Sequence, residues 1–341
     1  MARFWVGGAT GFLGRHLVRV LLSRGHEVSL AALGGGEIDG VKVEDVDVLD
    51  GAAVAASAQG CEGAFLATGK VSRDPDDAEL MHRLHVFGTR SALGALREAG
   101  VRRVVVASTS GTIAVGTDPD QIFDETAPPP MEHVAAWPYY RTKVFGEREA
   151  LLANAPPEFE VVIVNPTLLL GPGDLADSST GDVRKFLDRS IPAVTAGGMA
   201  FVDARDAALG MLLAFERGRA GERYLLNAKN LTVVAFLQRL ERLTGVKAPW
   251  LRLPKSRELA VGASRLFSRA VEAIGGSSPV DEETVEMGQY FWYCDSAKAE
   301  RELGWQARDP GETLRDTVED LRERGLVSLP DDWASAAPAD R

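Results

Sequence analysis

Arg3-Phe4-Trp5-Val6, followed by Gly7-Gly8-Ala9-Thr10-Gly11-Phe12-Leu13-Gly14 and a helical pattern from His16 to Ser23, is the stretch from which the rest of the chain is read. A short apolar run that turns on glycine straight into a helix leaves the first N–H groups of that helix without partners. Those groups, with the positive end of the helix dipole, make a seat for phosphate. Gly8 permits the tight turn, Gly11 the close approach of a pyrophosphate, and Gly14 the packing of helix on strand. Leu17, Val18, Leu21 and Leu22 form one stripe on the helix, Gly25 ends it, and Val28 to Leu33 reads as the next strand. The expectation is a dinucleotide seat lined by Gly8, Thr10, Gly11, Phe12, Leu13, Gly14 and Arg15.

Composition narrows what the remainder can be. A length of 341 residues allows one large or two intimate domains, and 45% hydrophobic with 26% charged residues fits a globular chain with a sizeable core. No apolar run is long enough to span a bilayer and the first strand begins at once, so the expected location is the cytoplasm, without a membrane partner. Cys61 and Cys294 stand far apart without metal-ligand spacing and read as reduced thiols; no metal site is expected. The net charge of -11, with no basic cluster, argues against nucleic acid as a partner.

Beyond the first helix, strand and helix patterns alternate, which is the signature of a parallel sheet covered on both faces. Strands are expected at Val28–Leu33, Val41–Val48, Gly63–Ala67, Val101–Ala107 and Val161–Asn165, and helices at Asp50–Ala58, Asp76–Ala99 and Pro138–Ala153. The fold class is α/β, a Rossmann-type doubly wound parallel sheet over residues 1–170 to which later segments add strands. Ligands of such sheets bind at the carboxyl edge, so Ala67, Thr68 and Gly69 join the cofactor candidates. Residues 171–325, with short strands at Ala200–Val202 and Glu222–Leu226 and helices at Asp203–Glu216 and Thr232–Thr244, read as a smaller substrate lobe, and 326–341 as a loose tail. Leu259, Ala263, Leu266, Phe267, Ala270 and Ile274 form a helical stripe that is expected to pack in the core rather than lie on a membrane.

The chemistry centres on Tyr139 and Lys143, four residues apart and therefore on one face of a helix. A phenol beside an ammonium can exchange a proton nearer neutral pH than a free tyrosine, which carbonyl reduction or alcohol oxidation requires. The order Gly8-x-x-Gly11-x-x-Gly14, Asp47-Val48, Ser108-Thr109-Ser110 after Val104-Val105-Val106, Tyr139-x-x-x-Lys143 and Asn165-Pro166 resembles the extended short-chain dehydrogenase/reductase (NAD-dependent epimerase/dehydratase) family. Within it the chain is most similar to dihydroflavonol-reductase-like proteins and the hopanoid-associated sugar epimerase group, down to the closing Ser296-Ala297-Lys298-Ala299-Glu300-Arg301-Glu302-Leu303-Gly304-Trp305. The resemblance implies that Tyr139 is the acid/base and that Lys143 lowers its pKa and holds the nicotinamide ribose. It also implies that Thr109 bonds the substrate oxygen, that Asp47 and Val48 flank the adenine, and that Pro166 walls the nicotinamide. Ser108 and Ser110 are rivals for the role of Thr109. The family's dimer would use the helices at Asp76–Ala99 and Pro138–Ala153.

Three departures stand out. Gly7-Gly8 replaces the family's Thr-Gly, and His85 replaces an asparagine before Val86-Phe87-Gly88-Thr89, where a structural role is expected for it. Val28-Ser29-Leu30-Ala31-Ala32-Leu33 ends in neither the acid that binds a ribose hydroxyl nor the Arg that suits a 2′-phosphate. The cofactor is thus NADP or NAD, with a lean to NADP. Ser110-Gly111 after the threonine departs from the dehydratase pattern, and Asn165-Pro166-Thr167 looks more like reductases acting on ring ketones. The expected activity is hydride transfer between NAD(P) and a ketone or secondary alcohol on a ring substrate. A sugar-nucleotide epimerase and a non-catalytic nucleotide sensor are the alternatives. Lys70–Asp74, His133–Trp137, Leu168–Leu170, Phe186 and Phe201 are expected either to complete an apolar pocket or to pack the lobe.

Overall fold

In chain order the strands are β1 (Arg3–Gly7), β2 (Glu27–Ala32), β3 (Gly36–Ile38), β4 (Val41–Asp45), β5 (Gly63–Leu66), β6 (Arg103–Ala107), β7 (Glu160–Pro166), β8 (Leu168–Leu170), β9 (Gly198–Asp203), β10 (Arg223–Leu226) and β11 (Lys229–Thr232). They come from a computed structural model that describes residues 1–273, 282–329 and Trp333; in the helix Arg257–Ala273, side chains are described as far as Leu266. Eight strands make one sheet in the order β10-β7-β6-β5-β1-β2-β4-β3, parallel throughout except for the β3–β4 pair at one edge. The other three form a small sheet, β11-β9-β8.

The continuous Val104-Val105-Val106 run is buried on both sides because helices cover both faces. One core lies between the sheet and the helices Phe12–Ser23 and Ala204–Arg217, and includes Phe4, Val6, Leu17, Val105 and Met211. The other lies under Gly51–Ser57, Thr89–Glu98 and Pro138–Ala153, and includes Trp5, Val54, Leu93, Ala150 and Ile163. Local signals hold at the helix starts: Asp50 accepts from the Ala53 N–H, Asp203 from Arg205 and Thr232 from Ala235.

Several expectations are corrected by contacts distant in sequence. The helix expected over 76–99 is broken into a tight turn at Pro75–Asp77, a helix Ala78–His82, a wide π-helical turn Arg83–Gly88 and a helix Thr89–Glu98. The wide turn lets the Pro138–Ala153 helix approach so closely that a Cβ on Gly146 would run into the His85 carbonyl oxygen. Leu168–Leu170 pairs with β9 of the small sheet, while β10 and the helix Ala204–Arg217 return to the main one. Phe186 and Phe201 lie in a third core with Leu170, Phe236, Leu240 and Val318, and do not line a pocket. Val327 and Trp333 are buried in that same core, so the described part of the expected loose tail is packed. Leu259 and Leu266 are 65% and 70% exposed, contrary to the expected core stripe, because the helix turns Ala260 and Ser264 inward instead. The Phe267 and Ala270 side chains and Ile274 lie outside the described residues. No helix among the described residues is long and apolar enough to cross a membrane.

Candidate active site

The turn after β1 is built for close backbone approach. Gly8 has φ +75°, and a Cβ on it would lie 2.7 Å from the Ala67 carbonyl carbon and oxygen at the end of β5. A Cβ on Gly14 would run into the Gly8 carbonyl oxygen, so the helix can seat itself on the turn only as glycine. Gly11 stands at the helix N-terminus with no side chain to cap it, leaving first-turn N–H groups for a ligand. Arg15 folds back, its Nε donating to the Thr10 carbonyl at 2.9 Å. Phe12 rests edge-on to His16, whereas Leu13 points into the core, so only its backbone remains for a nucleotide. Asp47 is half-buried and accepts from the Leu49 N–H at 2.9 Å; Val48 is buried against Gly88. Ala67 and Thr68 are half-buried, Gly69 is exposed, and Pro166 closes β7 at the same edge. An uncapped helix start over a turn that no Cβ fits suits a dinucleotide pyrophosphate.

Tyr139, Thr109 and Lys143 are brought to this edge from two elements. Tyr139 lies in the first turn of the Pro138–Ala153 helix, half-buried, its ring edge-on to His85 at 5.7 Å and to Tyr140 at 4.9 Å. Burial pushes its phenol pKa up, Tyr140 adds to the rise, and the hydrogen-bonded Thr109 hydroxyl opposes it. Of the three candidate hydroxyls Thr109 is therefore the one on the phenol; Ser108 and Ser110 are buried, and Ser108 Oγ has no partner among the described residues. Lys143 Nζ donates to the Ala107 carbonyl at 2.8 Å, and burial pulls its pKa from 10.5 down to about 8 against the attraction of Glu147. With burial raising its pKa, the phenol is protonated at neutral pH, the form a proton donor needs.

Two further residues hold the centre in place. Glu147, four residues after Lys143 and buried, accepts at Oε1 from Thr112 Oγ1 and Asn165 Nδ2, both at 2.5 Å. Asn165 Nδ2 also donates to the Thr109 carbonyl at 3.1 Å, and the one Thr112 hydroxyl proton goes either to Glu147 or to that carbonyl, which lies 2.8 Å from Thr112 Oγ1. Sequence reading missed Glu147, although the Lys143-x-x-x-Glu147 spacing puts both on one helix face. His85 joins the cofactor edge to the helix of Tyr139. The Lys70 N–H donates to its Nε2 at 3.1 Å, so Nδ1 carries the proton and donates to Thr142 Oγ1 at 2.9 Å. Thr142 in turn donates to the Pro138 or Tyr139 carbonyl, at 2.8 and 2.9 Å. Burial, followed by the charge of Lys143, drives the imidazole pKa down to about 2 and keeps it neutral. The structural role expected of His85 is the one its bonds describe.

Beyond Tyr139 an aromatic wall continues through Tyr140 and Trp292, 4.8 Å apart, to Trp137, stacked on Trp292 at 5.7 Å, and Tyr290. His133 leans on Tyr290 at 5.1 Å. In the 70–74 loop Lys70 pairs with Asp77, and Arg73 reaches Asp182 at 3.0 Å and Thr284 at 3.3 Å, tying the loop to the lobe.

With this geometry in view, the family model described as the NAD dependent epimerase/dehydratase family matches residues 5–226, well over half of the chain. The chain belongs to that family. A protein of Synechocystis sp. provisionally named dihydroflavonol 4-reductase is 32% identical over 333 residues, covering 95% of this chain and 96% of that one. A protein of Stigmatella aurantiaca, named 4-hydroxy-2-methyl-3-oxo-4-farnesyl-3,4-dihydroquinoline-1-oxide ketoreductase, is 30% identical over 351 residues, with 96% and 99% covered. Among solved structures, that of gox2253 superposes with a TM-score of 0.82 at 27% identity, over 96% of this chain and all of that one. The epimerase/dehydratase family is NAD dependent, which makes the cofactor of this enzyme NAD or NADP and matches the glycine turn.

Proposed function

We propose that this epimerase/dehydratase-family enzyme reduces a ketone on an apolar ring substrate, with Tyr139 as the proton donor. The observation that carries the reading is the Tyr139–Thr109 pair, a phenol held protonated by burial and hydrogen-bonded to a second hydroxyl at the carboxyl edge of the sheet. The glycine turn from Gly8 to Gly14 would hold NAD(P)H, which would supply the hydride. Thr109 and Tyr139 both donate to the carbonyl oxygen as negative charge develops on it, and Tyr139 gives up its proton. Lys143, one helical turn on and still cationic at neutral pH, stabilises the phenolate left behind. Glu147, Asn165 and Thr112 fix the Thr109 backbone, and His85 fixes the turn that carries Tyr139. Asp47 and Val48 would flank the adenine, and Pro166 would wall the nicotinamide.

Trp137 is buried in a small core with Tyr290, and the half-buried Tyr140 and Trp292 packed on it leave an aromatic face that suits a ring, as do the ring compounds in the names of the two relatives. The homodimer would bury Leu80, Phe87, Leu151 and Leu152, which are exposed on the helices facing away from the sheet. Cys61 and Cys294, both free and buried, suit the reducing cytoplasm. The test is to follow NADH and NADPH oxidation against ring ketones and, in parallel, UDP-sugars for inversion without net redox. Ketone-dependent oxidation is expected. Sugar inversion with no ketone reduced would replace this reading with the epimerase one.

A further inference from the structure

In dinucleotide-binding sheets the adenosine ribose lies at the carboxyl end of the second strand, where an acid selects NAD and a basic residue selects NADP. By sequence β2 ends on Ala31-Ala32-Leu33, without either. In space a carboxylate stands there. Asp45, the last residue of β4, pairs with Ala32, and its Oδ1 accepts from the Gly34 N–H at 2.7 Å. Gly34, Gly35 and Gly36 have φ of +83°, +60° and +132°, which folds the chain back over β4. A Cβ on Gly35 would lie 3.1 Å from the Val43 carbonyl oxygen and 3.5 Å from Asp45 Cβ. Asp45 is exposed and has no ion pair among the described residues. Leu33, next to it in the turn, is uncharged and 75% exposed. Of the nearby cations, Arg19 is paired with Asp39 and Arg15 is tied to Thr10 in the pyrophosphate turn.

We propose that Asp45 is the ribose-reading acid of this enzyme and that the site takes NAD(H) in preference to NADP(H). The proposal rests on the glycine turn being a nucleotide site. A carboxylate accepts from a 2′-hydroxyl and repels a 2′-phosphate. It reverses the lean to NADP because the acid arrives from the neighbouring strand, not from the end of β2. Arg15 then serves the pyrophosphate, which both nucleotides share.

Calorimetric titration of the full chain with NAD+ and NADP+ tests this by binding alone. NAD+ is expected to bind at least about tenfold more tightly. Asp45→Asn keeps an acceptor for the Gly34 N–H while removing the charge, and is expected to bring the two affinities within about threefold. Leu33→Arg, at an exposed position that leaves the Asp45 bond alone, is expected to raise NADP+ affinity by about tenfold and change NAD+ affinity by less than about twofold. Tighter binding of NADP+ by the unmodified protein, or an unchanged ratio in Asp45→Asn, overturns the assignment. Failure to bind either nucleotide overturns the nucleotide site itself and shows as the absence of any heat.

Discussion

Replacing Lys143 with Met separates what the ammonium does for the fold from what it does for chemistry. Burial takes its pKa from 10.5 to about 8. Such a displacement corresponds to about 3 kcal/mol of penalty on the folded state at neutral pH, which partial exposure to water reduces to about 1–2 kcal/mol. Against it stands the bond from Nζ to the Ala107 carbonyl, about 1 kcal/mol. Met preserves the volume of the stem, so Lys143→Met is expected to be between equal to the unmodified enzyme and about 1 kcal/mol more stable near pH 7. The balance turns with pH. An unfolded lysine keeps its proton up to its ordinary 10.5, while the folded one releases it from about 8. The unfolded state therefore binds more protons in that window, and the unmodified enzyme gains stability as pH rises through it. By about pH 10 the variant should trail by the one lost hydrogen bond, about 1 kcal/mol. Urea denaturation at the two pH values reads both differences, and turnover should fall at least about 100-fold throughout. A variant more than about 1 kcal/mol less stable near pH 7 would mean that the ammonium stabilises the fold, and the reasoning from burial would be refuted.

His85 has its pKa driven from 6.5 to about 2, so the unfolded chain takes up a proton below 6.5 that the folded protein refuses. Stability is then lost as pH falls, by up to about 2 kcal/mol between pH 6.5 and 5, and denaturation of His85→Asn over that range should lack this slope. The rate profile should show no inflection from the imidazole above about pH 5, because it stays neutral. Gly14→Ala puts a methyl group into the Gly8 carbonyl and 2.9 Å from that of Ala9. It is expected to lose about 1–3 kcal/mol in denaturation and more than about tenfold in nucleotide affinity, measured by titration.

The sheet was legible where the signal was local. Val104-Val105-Val106, the glycine turn and the capping residues Asp50, Asp203 and Thr232 announce their elements within a few residues. The Pro138–Ala153 helix has the bounds that its sequence implies. What stayed hidden depends on partners far along the chain. The π-helical turn at Arg83–Gly88 answers to Gly146, and β3 exists because three glycines fold the chain back on β4. Phe186 and Phe201 are apolar in either a pocket or a core, and only the lobe's packing decides between them. At the centre, Tyr139-x-x-x-Lys143 put two residues on one face of one helix, as the Pro138–Ala153 helix has them, and carried nothing about their surroundings. Spacing reveals proximity along a helix; it does not reveal the desolvation that raises the phenol or the Ala107 carbonyl that claims the ammonium.

The central claim is that the Tyr139 phenol gives its proton to the substrate oxygen beside the bound nucleotide. The direct measurement is ketone-dependent NAD(P)H oxidation by Tyr139→Phe, alongside the nucleotide affinity of the same protein. Turnover should fall by about 100-fold to 10,000-fold, with affinity within about twofold of the unmodified enzyme. Turnover within about tenfold of the unmodified enzyme would show that the proton comes from elsewhere.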